Sequence, residues 1–306
     1  MEILMPKFKP STYQLNVYNF IKNNYGSAVV QAVAGSGKTT TIVNAINMIP
    51  KNKNVLLLAF NKSIANELKE KVPAHVRVMT YHSCAYGAYR YKVKGVQIKN
   101  DKVRMLVKDI VPDEDFHYAP IVSRLVGLAK SHALGYLTSD SNDEWMLLID
   151  KFSLLNRRLD ADFSIDTLIG YARKVYSENN KIKKIIDFDD MILFPLIFNA
   201  SFFKQDFVFV DEAQDTSSVQ RELLKRMLKR NGRLIAVGDS AQAIYGFRGA
   251  DSNSMNRIIE DFSATTLPLS ISYRCAKNII EKAQIWNPEI LPNPNAIDGI
   301  VEELKT

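Results

Sequence analysis

The sequence predicts an α/β protein: a parallel sheet flanked by helices and interrupted by an all-helical insertion. Three observations carry this. Short β-branched, apolar runs alternate with helical patterns toward both ends of the chain. Several of those runs are apolar throughout, as strands covered on both faces must be. Between them, residues 85–185 show helical periodicity and no clear strand.

The expected strands are Val29–Val33, Val55–Phe60, Val76–Thr80, Phe207–Val210, Leu234–Val237 and Thr265–Leu269. Helices are expected at Lys38–Met48, Ile64–Lys71, Val219–Lys229 and Asn253–Asp261, each after a strand, which is the βαβ pattern of a parallel sheet. The insertion reads as Lys102–Ile110, Ile121–His132, Glu144–Asn156 and Ile165–Tyr176, and the α/β pattern resumes at Phe188. Another element begins near Pro268, followed by the Pro- and Asn-rich stretch Asn287–Asn295. The expected organisation is one domain from 1–84 and 186–265, a helical insertion at 85–185, and the start of a further domain at 266–306.

With 306 residues, 46% hydrophobic and 24% charged, the chain has the composition of a packed globular protein. No apolar run is long enough to span a bilayer; the greasy stretch Met191–Phe198 is preceded by Asp187, Asp189 and Asp190. The opening MEILMPKFKP lacks the apolar core of a secretory signal. Cys84 and Cys275 lie far apart and suggest neither a disulfide framework nor a zinc site, so a cytoplasmic location is expected. A net charge of +7 suits a polyanionic partner, although mild basicity alone is common. The four histidines show no metal-ligand spacing.

The strongest local signal is Ala32-Val-Ala-Gly-Ser-Gly-Lys-Thr39, between an expected strand and an expected helix. Glycines at 35 and 37 let the backbone wrap around phosphates with amides pointing inward. The following helix N-terminus adds positive potential. The nucleotide-binding candidates are therefore Ala34, Gly35, Ser36, Gly37, Lys38, Thr39 and Thr40. Lys38 would reach the β- and γ-phosphates, and the Thr39 hydroxyl would hold Mg2+. The first position of the pattern is Ala32 rather than Gly, and the bland alternative is a glycine turn with no ligand.

Such a loop needs an acidic partner at the end of another strand. Phe207-Val-Phe-Val-Asp-Glu-Ala-Gln-Asp215 supplies one. Asp211 would bind the metal, and Glu212 would act as general base or orient the attacking water. The alternative here is a solvated acidic turn.

With both motifs in place, the chain resembles a superfamily 1 DNA helicase of the UvrD/Rep type, in its N-terminal motor half. The wording AFNKSIANELK and DFDDM is nearest to the F-box-helicase-like and phage branches. The resemblance covers Tyr13-Gln14, Leu58 to Leu68, Thr80-Tyr-His-Ser83, Asp187 to Met191, Val237 to Asp251 and Leu269 to Arg274. It implies a RecA-like P-loop fold and an ATP hydrolase: a 3′-to-5′ DNA helicase or translocase, with Mg-ATP turnover coupled to single-stranded DNA in repair or replication. By the same resemblance Gln14 reads the adenine edge and Tyr273 stacks on the base. Gln242 senses the γ-phosphate, and Arg274 approaches it as an arginine finger. Phe60, Asn61, Thr80, His82, Tyr245, Phe247 and Arg248 face the strand. The residues agree: aromatic rings close to a phosphate sensor can stack on bases at about 1–3 kcal/mol each without sequence preference.

Two surface features stay open on sequence alone. Tyr81, Tyr86, Tyr89 and Tyr91 alternate with Arg90, Lys92 and Lys94, which suits a single strand, yet His82, Tyr86 and Tyr89 recur at the spacing of one packed helix face. The Lys181–Lys184 run reads as a solvated face. The chain also departs from the family. Thr40 stands where an Arg often touches the nucleotide, and no "KGLE"-like or "TRA"-like segment follows Cys275. The expectation is that a second motor domain or a partner chain completes the engine, with weak hydrolysis and no unwinding without it. Two rivals accompany this reading: a non-motor module binding ATP and single-stranded DNA beside a partner, and a P-loop kinase for a small molecule. DNA-stimulated ATP turnover separates them.

Overall fold

The computed structural model describes residues 9–155, 163–242 and 253–302. The first helix, α1 (Thr12–Asn23), has no counterpart among the sequence expectations. It is held by a reciprocal cap in which Ser11 and Gln14 each bind the other's backbone. Strand β1 (Ala28–Ala32) follows, then α2 (Lys38–Asn47), β2 (Val55–Ala59), α3 (Lys62–Lys71), β3 (Arg77–Thr80) and α4 (Tyr81–Lys92). The middle of the chain runs β4 (Gln97–Ile98), α5 (Lys102–Ile110), α6 (Ala119–His132), α7 (Asn142–Lys151), α8 (Ile165–Lys181) and β5 (Ile185–Ile186). Next come α9 (Phe188–Ile197), β6 (Gln205–Val210), α10 (Ser218–Met227) and β7 (Leu228–Gly238). The chain continues through α11 (Ser254–Phe262), β8 (Thr265–Leu269), β9 (Ile271–Ser272), α12 (Lys277–Ala283) and β10 (Leu291–Pro292).

Six of these strands form one sheet in the order β3-β2-β6-β7-β1-β8, all parallel. The α/β expectation with a parallel sheet is borne out. Pro268 is tolerated in β8 because that strand lies at the sheet's edge, where a missing N–H breaks no central ladder. Side chains alternate between the faces. Leu56 and Leu58 of β2, Val208 and Val210 of β6, and Leu234 and Ala236 of β7 enter one apolar core. Leu57, Phe209, Ile235 and Val237 enter the other, under α1, α2 and α3. This two-sided burial is why the runs show no polar alternation.

Several expectations need correction. The helix expected at Val219–Lys229 stops at Met227, where β7 begins, and that strand is longer than Leu234–Val237. The middle segment does contain strand: β4 pairs in parallel with β5. Two residues each are too short for a periodic signal. The helix expected to run to Asn156 ends at Lys151, with Asn156 outside the described residues.

The middle helices share their core with the sheet. Leu125 of α6, Trp145 of α7 and Leu168 of α8 belong to the same apolar cluster as the first sheet face. Helix α9 sits between them, with Met191 to Leu196 all buried, so its greasy run is a core helix. A buried ion network adds a polar tie. Lys102 Nζ lies 2.7 Å from Asp190, and Lys130 Nζ lies 2.9 Å from Asp190 and 2.5 Å from Asp187. Asn179 donates to Asp190 at 2.8 Å, and Lys102 also donates to the Asn179 and Ile182 carbonyls. Burial lowers the Lys102 pKa, and Asp190 opposes that shift. Among the described residues no helix is long and apolar enough to cross a membrane.

Candidate functional site

The carboxyl ends of the parallel strands share one edge of the sheet, and the candidate residues cluster there. After β1 the chain turns through Gly35 and Gly37, both left-handed at φ 73 and 81. Ser36 N–H donates to the Val33 carbonyl at 3.2 Å, closing the turn. Gly37 caps α2 without a side chain. Among the described residues the amides of Gly35, Gly37, Lys38, Thr39 and Thr40 have no acceptor. A first helical turn always leaves such donors, and its dipole favours negative charge. The buried Ser36 hydroxyl also lacks a partner. This cradle fits an anion.

Two other segments press on the turn. Tyr273 N–H donates to the Gly35 carbonyl at 2.9 Å, and a Cβ on Gly35 would stand 2.5 Å from Arg274 Cβ. Tyr273 and Arg274, both exposed, therefore lie against the phosphate turn. Gln14 is buried near Gly37, its amide engaged within the chain: it accepts from Ser11 N–H at 3.0 Å and donates to Thr41 Oγ1 at 3.1 Å.

The acidic strand meets the same place. Lys38 Nζ lies 2.6 Å from Glu212 Oε2, although 174 residues separate them. Glu212 follows β6 in a left-handed conformation, φ 52, and its side chain reaches Lys38. Burial and the Glu212 charge push Asp211 up to about 6, against the pull of Lys38. The same influences bring Asp215 to about 6. Burial likewise raises Asp239, just beyond β7, where the Lys38 charge is again felt. Lys38 is thus the common cation of four carboxylates, Asp211, Glu212, Asp215 and Asp239, just beyond the ends of two adjacent strands. Gln242 donates to Asp239 Oδ2 at 2.8 Å. Tyr245, Phe247 and Arg248 lie outside the described residues.

On the other side of Glu212 a cavity of about 810 Å³ opens between the sheet edge and α6. Phe60, Asn61 and His82 line one wall, Arg124 and Lys130 another, and Asp211 and Glu212 its base. Asn61 caps α3 by accepting from Ile64 N–H at 2.9 Å, and Thr80 caps α4 by accepting from Ser83 N–H at 3.1 Å. The loops after β2 and β3 are thereby fixed at the cavity mouth. His82 is pushed below its ordinary value of 6.5 by burial, which keeps the ring neutral at neutral pH.

Phe188, to which the sequence assigns no site role, reaches this site through its contact with His82. It is 52% exposed, and its ring packs edge-on to His82 at 5.7 Å between centroids. The signal was a bulky aromatic flanked by acids at a helix start, on the turn before the fully buried run. Gln214 and Asp239 carry no signal of their own in the sequence, because their roles depend on which strands are neighbours. Of the tyrosines, Tyr89 packs in the core: it is fully buried against Phe194 and donates to the Lys183 carbonyl, whereas Tyr81, also buried, lines the cavity. Lys181 and Lys184 are exposed, with Lys181 paired to Glu178.

The family model for the UvrD/REP helicase N-terminal domain matches residues 16–263. The ATP-dependent DNA helicase PcrA of Leuconostoc citreum is 26% identical over 292 residues, 86% of this chain and 37% of that protein. The ATP-dependent DNA helicase Rep of Buchnera aphidicola is 25% identical, covering 88% of this chain and 43% of that protein. The ATP-dependent DNA helicase srs2 of Schizosaccharomyces pombe is 29% identical, covering 83% and 32%. The chain thus spans well under half the length of these relatives.

Proposed function

The chain belongs to the UvrD/REP helicase family, and we propose that it binds and hydrolyses Mg-ATP at the glycine turn and couples this to single-stranded DNA in the adjoining cavity. One observation carries the reading. Lys38 and Glu212 meet at 2.6 Å beside a cavity walled by Phe60, Asn61 and His82, so phosphate chemistry and strand binding share a wall.

In this reading the amides of Gly35 and of residues 37 to 40 hold the phosphates, and Lys38 leaves Glu212 to neutralise the β- and γ-oxygens. Glu212, released, accepts the hydrogen bond of the attacking water. Thr39 and Asp211 would hold Mg2+, which supplies charge neutralisation on the phosphates. Among the described residues no three His, Cys, Asp or Glu side chains form a metal cage. Phosphate oxygens and water would complete the Mg2+ shell. Arg274 extends toward the γ-phosphate and Tyr273 toward the base. Gln14 reads the base by exchanging its bond to Thr41. Phe60 and His82, with Phe188 packed edge-on against His82, would stack on bases beside Asn61, with Thr80 capping the helix that carries His82. The family resemblance adds Tyr245, Phe247 and Arg248 as strand contacts. Polarity of 3′ to 5′, completion by a second motor domain or partner chain, and a role in repair or replication follow the family resemblance. The free thiols of Cys84 and Cys275 support a reducing, cytoplasmic location.

The test is steady-state ATP turnover with and without a single-stranded oligonucleotide. Stimulation by the oligonucleotide is expected, with Lys38→Ala and Glu212→Gln each lowering the stimulated rate by about 10²-fold or more. Turnover indifferent to the oligonucleotide would sink the proposal and favour small-molecule phosphoryl transfer.

A further inference from the structure

We propose that Gln214 is the positioning residue through which the nucleotide state of the glycine turn reaches Gln242 and hence the affinity for single-stranded DNA. The inference rests on the function proposed above and adds a residue to it. Gln214 is 4% exposed, so both ends of its amide must find partners inside the protein. They find them on the segments that follow two adjacent strands. Nε2 donates to Glu212 Oε2 at 2.8 Å, beyond β6. Oε1 accepts from Asp239 N–H at 3.0 Å, beyond β7.

The Glu212 oxygen that Gln214 binds is the same Oε2 that holds Lys38 at 2.6 Å. One atom thus carries both the phosphate-loop cation and the amide. When Lys38 turns to a phosphate, that oxygen loses its cation and the Glu212 side chain is free to rotate, altering the hydrogen bond that fixes Gln214. On the far side Asp239 uses one carboxylate oxygen for Ala241 N–H at 3.0 Å and the other for Gln242 Nε2 at 2.8 Å. The position of Asp239 therefore sets that of Gln242. The path is Lys38, Glu212, Gln214, Asp239, Gln242, each step a hydrogen bond. Gly238 shows how tightly the contact is fitted: a Cβ there would stand 2.6 Å from Gln214 Oε1 and 3.0 Å from Gln214 N.

A plain structural role, an amide stapling two strands, predicts something different. Losing it would lower stability and weaken both ligands alike, without touching the effect of one on the other. Coupling between two sites is measured by that mutual effect, and it is reciprocal. The experiment titrates a fluorescent oligo-dT with and without a non-hydrolysable Mg-ATP analogue, in the wild type, Gln214→Met and Gln214→Asn. Met keeps volume and removes both bonds; Asn keeps the amide but is too short to reach both partners. Circular dichroism checks the fold of each variant.

In the wild type the analogue is expected to change the oligo-dT Kd by about 5- to 150-fold. In both variants that factor falls toward one, while the Kd of each ligand alone stays within about threefold. Wild-type coupling retained in either folded variant overturns the role of Gln214. A wild type that binds both ligands with no mutual effect overturns the proposed function itself, and this inference with it. Should Met fail to fold, the Asn variant alone decides.

Discussion

A methyl group added at Gly35 would lie 2.5 Å from Arg274 Cβ, at a backbone φ of 73 that L-residues avoid. Gly35→Ala therefore meets both a steric and a conformational penalty, about 1–3 kcal/mol together. Urea unfolding should show a lowered midpoint, and nucleotide binding should weaken with it; an unchanged midpoint would refute the close packing of the 272–274 segment on the turn. His82 carries a pH signature. Its folded pKa lies below the ordinary 6.5, so between the two values the unfolded chain binds the extra proton. Its contribution to stability is thus lost as pH falls through 6.5 and levels off below the folded pKa. A wild-type minus His82→Asn difference in Tm, flat above pH 7 and shrinking below 6.5, is expected. A difference that grows on acidification would mean the ring is charged in the fold.

Among the elements, the network joining Lys102 and Lys130 to Asp187 and Asp190 ties α5, α6 and α8 to the start of α9. Lys130 and Asp190 are both fully buried, so Lys130→Met strands carboxylate charge inside the protein. The expected loss is about 3–5 kcal/mol by denaturant titration, with partial recovery when Asp187→Asn is added. A loss under 1 kcal/mol would mean water reaches the pair. Legibility in the sequence also divides at this scale. The apolar runs from Val55 and Phe207 were readable because burial on both faces imposes a simple pattern. The phosphate turn and the Asp211–Glu212 pair were readable because each needs its residues in one loop. Helix α9 was not, since a helix buried all round has no polar face to set a period. Phe188, Gln214 and the lysine–aspartate network were not, because their meaning lies in neighbours that only folding brings close.

For the whole molecule, the shared apolar core has a thermodynamic consequence. Trp145 of α7 and Leu58 of β2 belong to one continuous cluster, so the middle helices and the sheet are expected to unfold together. Trp145 is fully buried and Trp286 is exposed, which makes a burial-sensitive fluorescence change report α7. Its denaturant midpoint should coincide with that of far-ultraviolet circular dichroism. Two separated transitions would show that the helices hold together on their own.

The strand order also turns sequence remoteness into nearness. Between β1 and β6 lies only β7, so two ladder spacings of about 4.8 Å separate the roots of the loops bearing Lys38 and Glu212. One more spacing reaches β2 and the Phe60 loop, and another reaches β3 and His82. A movement the width of a single water molecule at one end of this row is already a sizeable fraction of its pitch, and stiff parallel ribbons leave little slack in which to lose it.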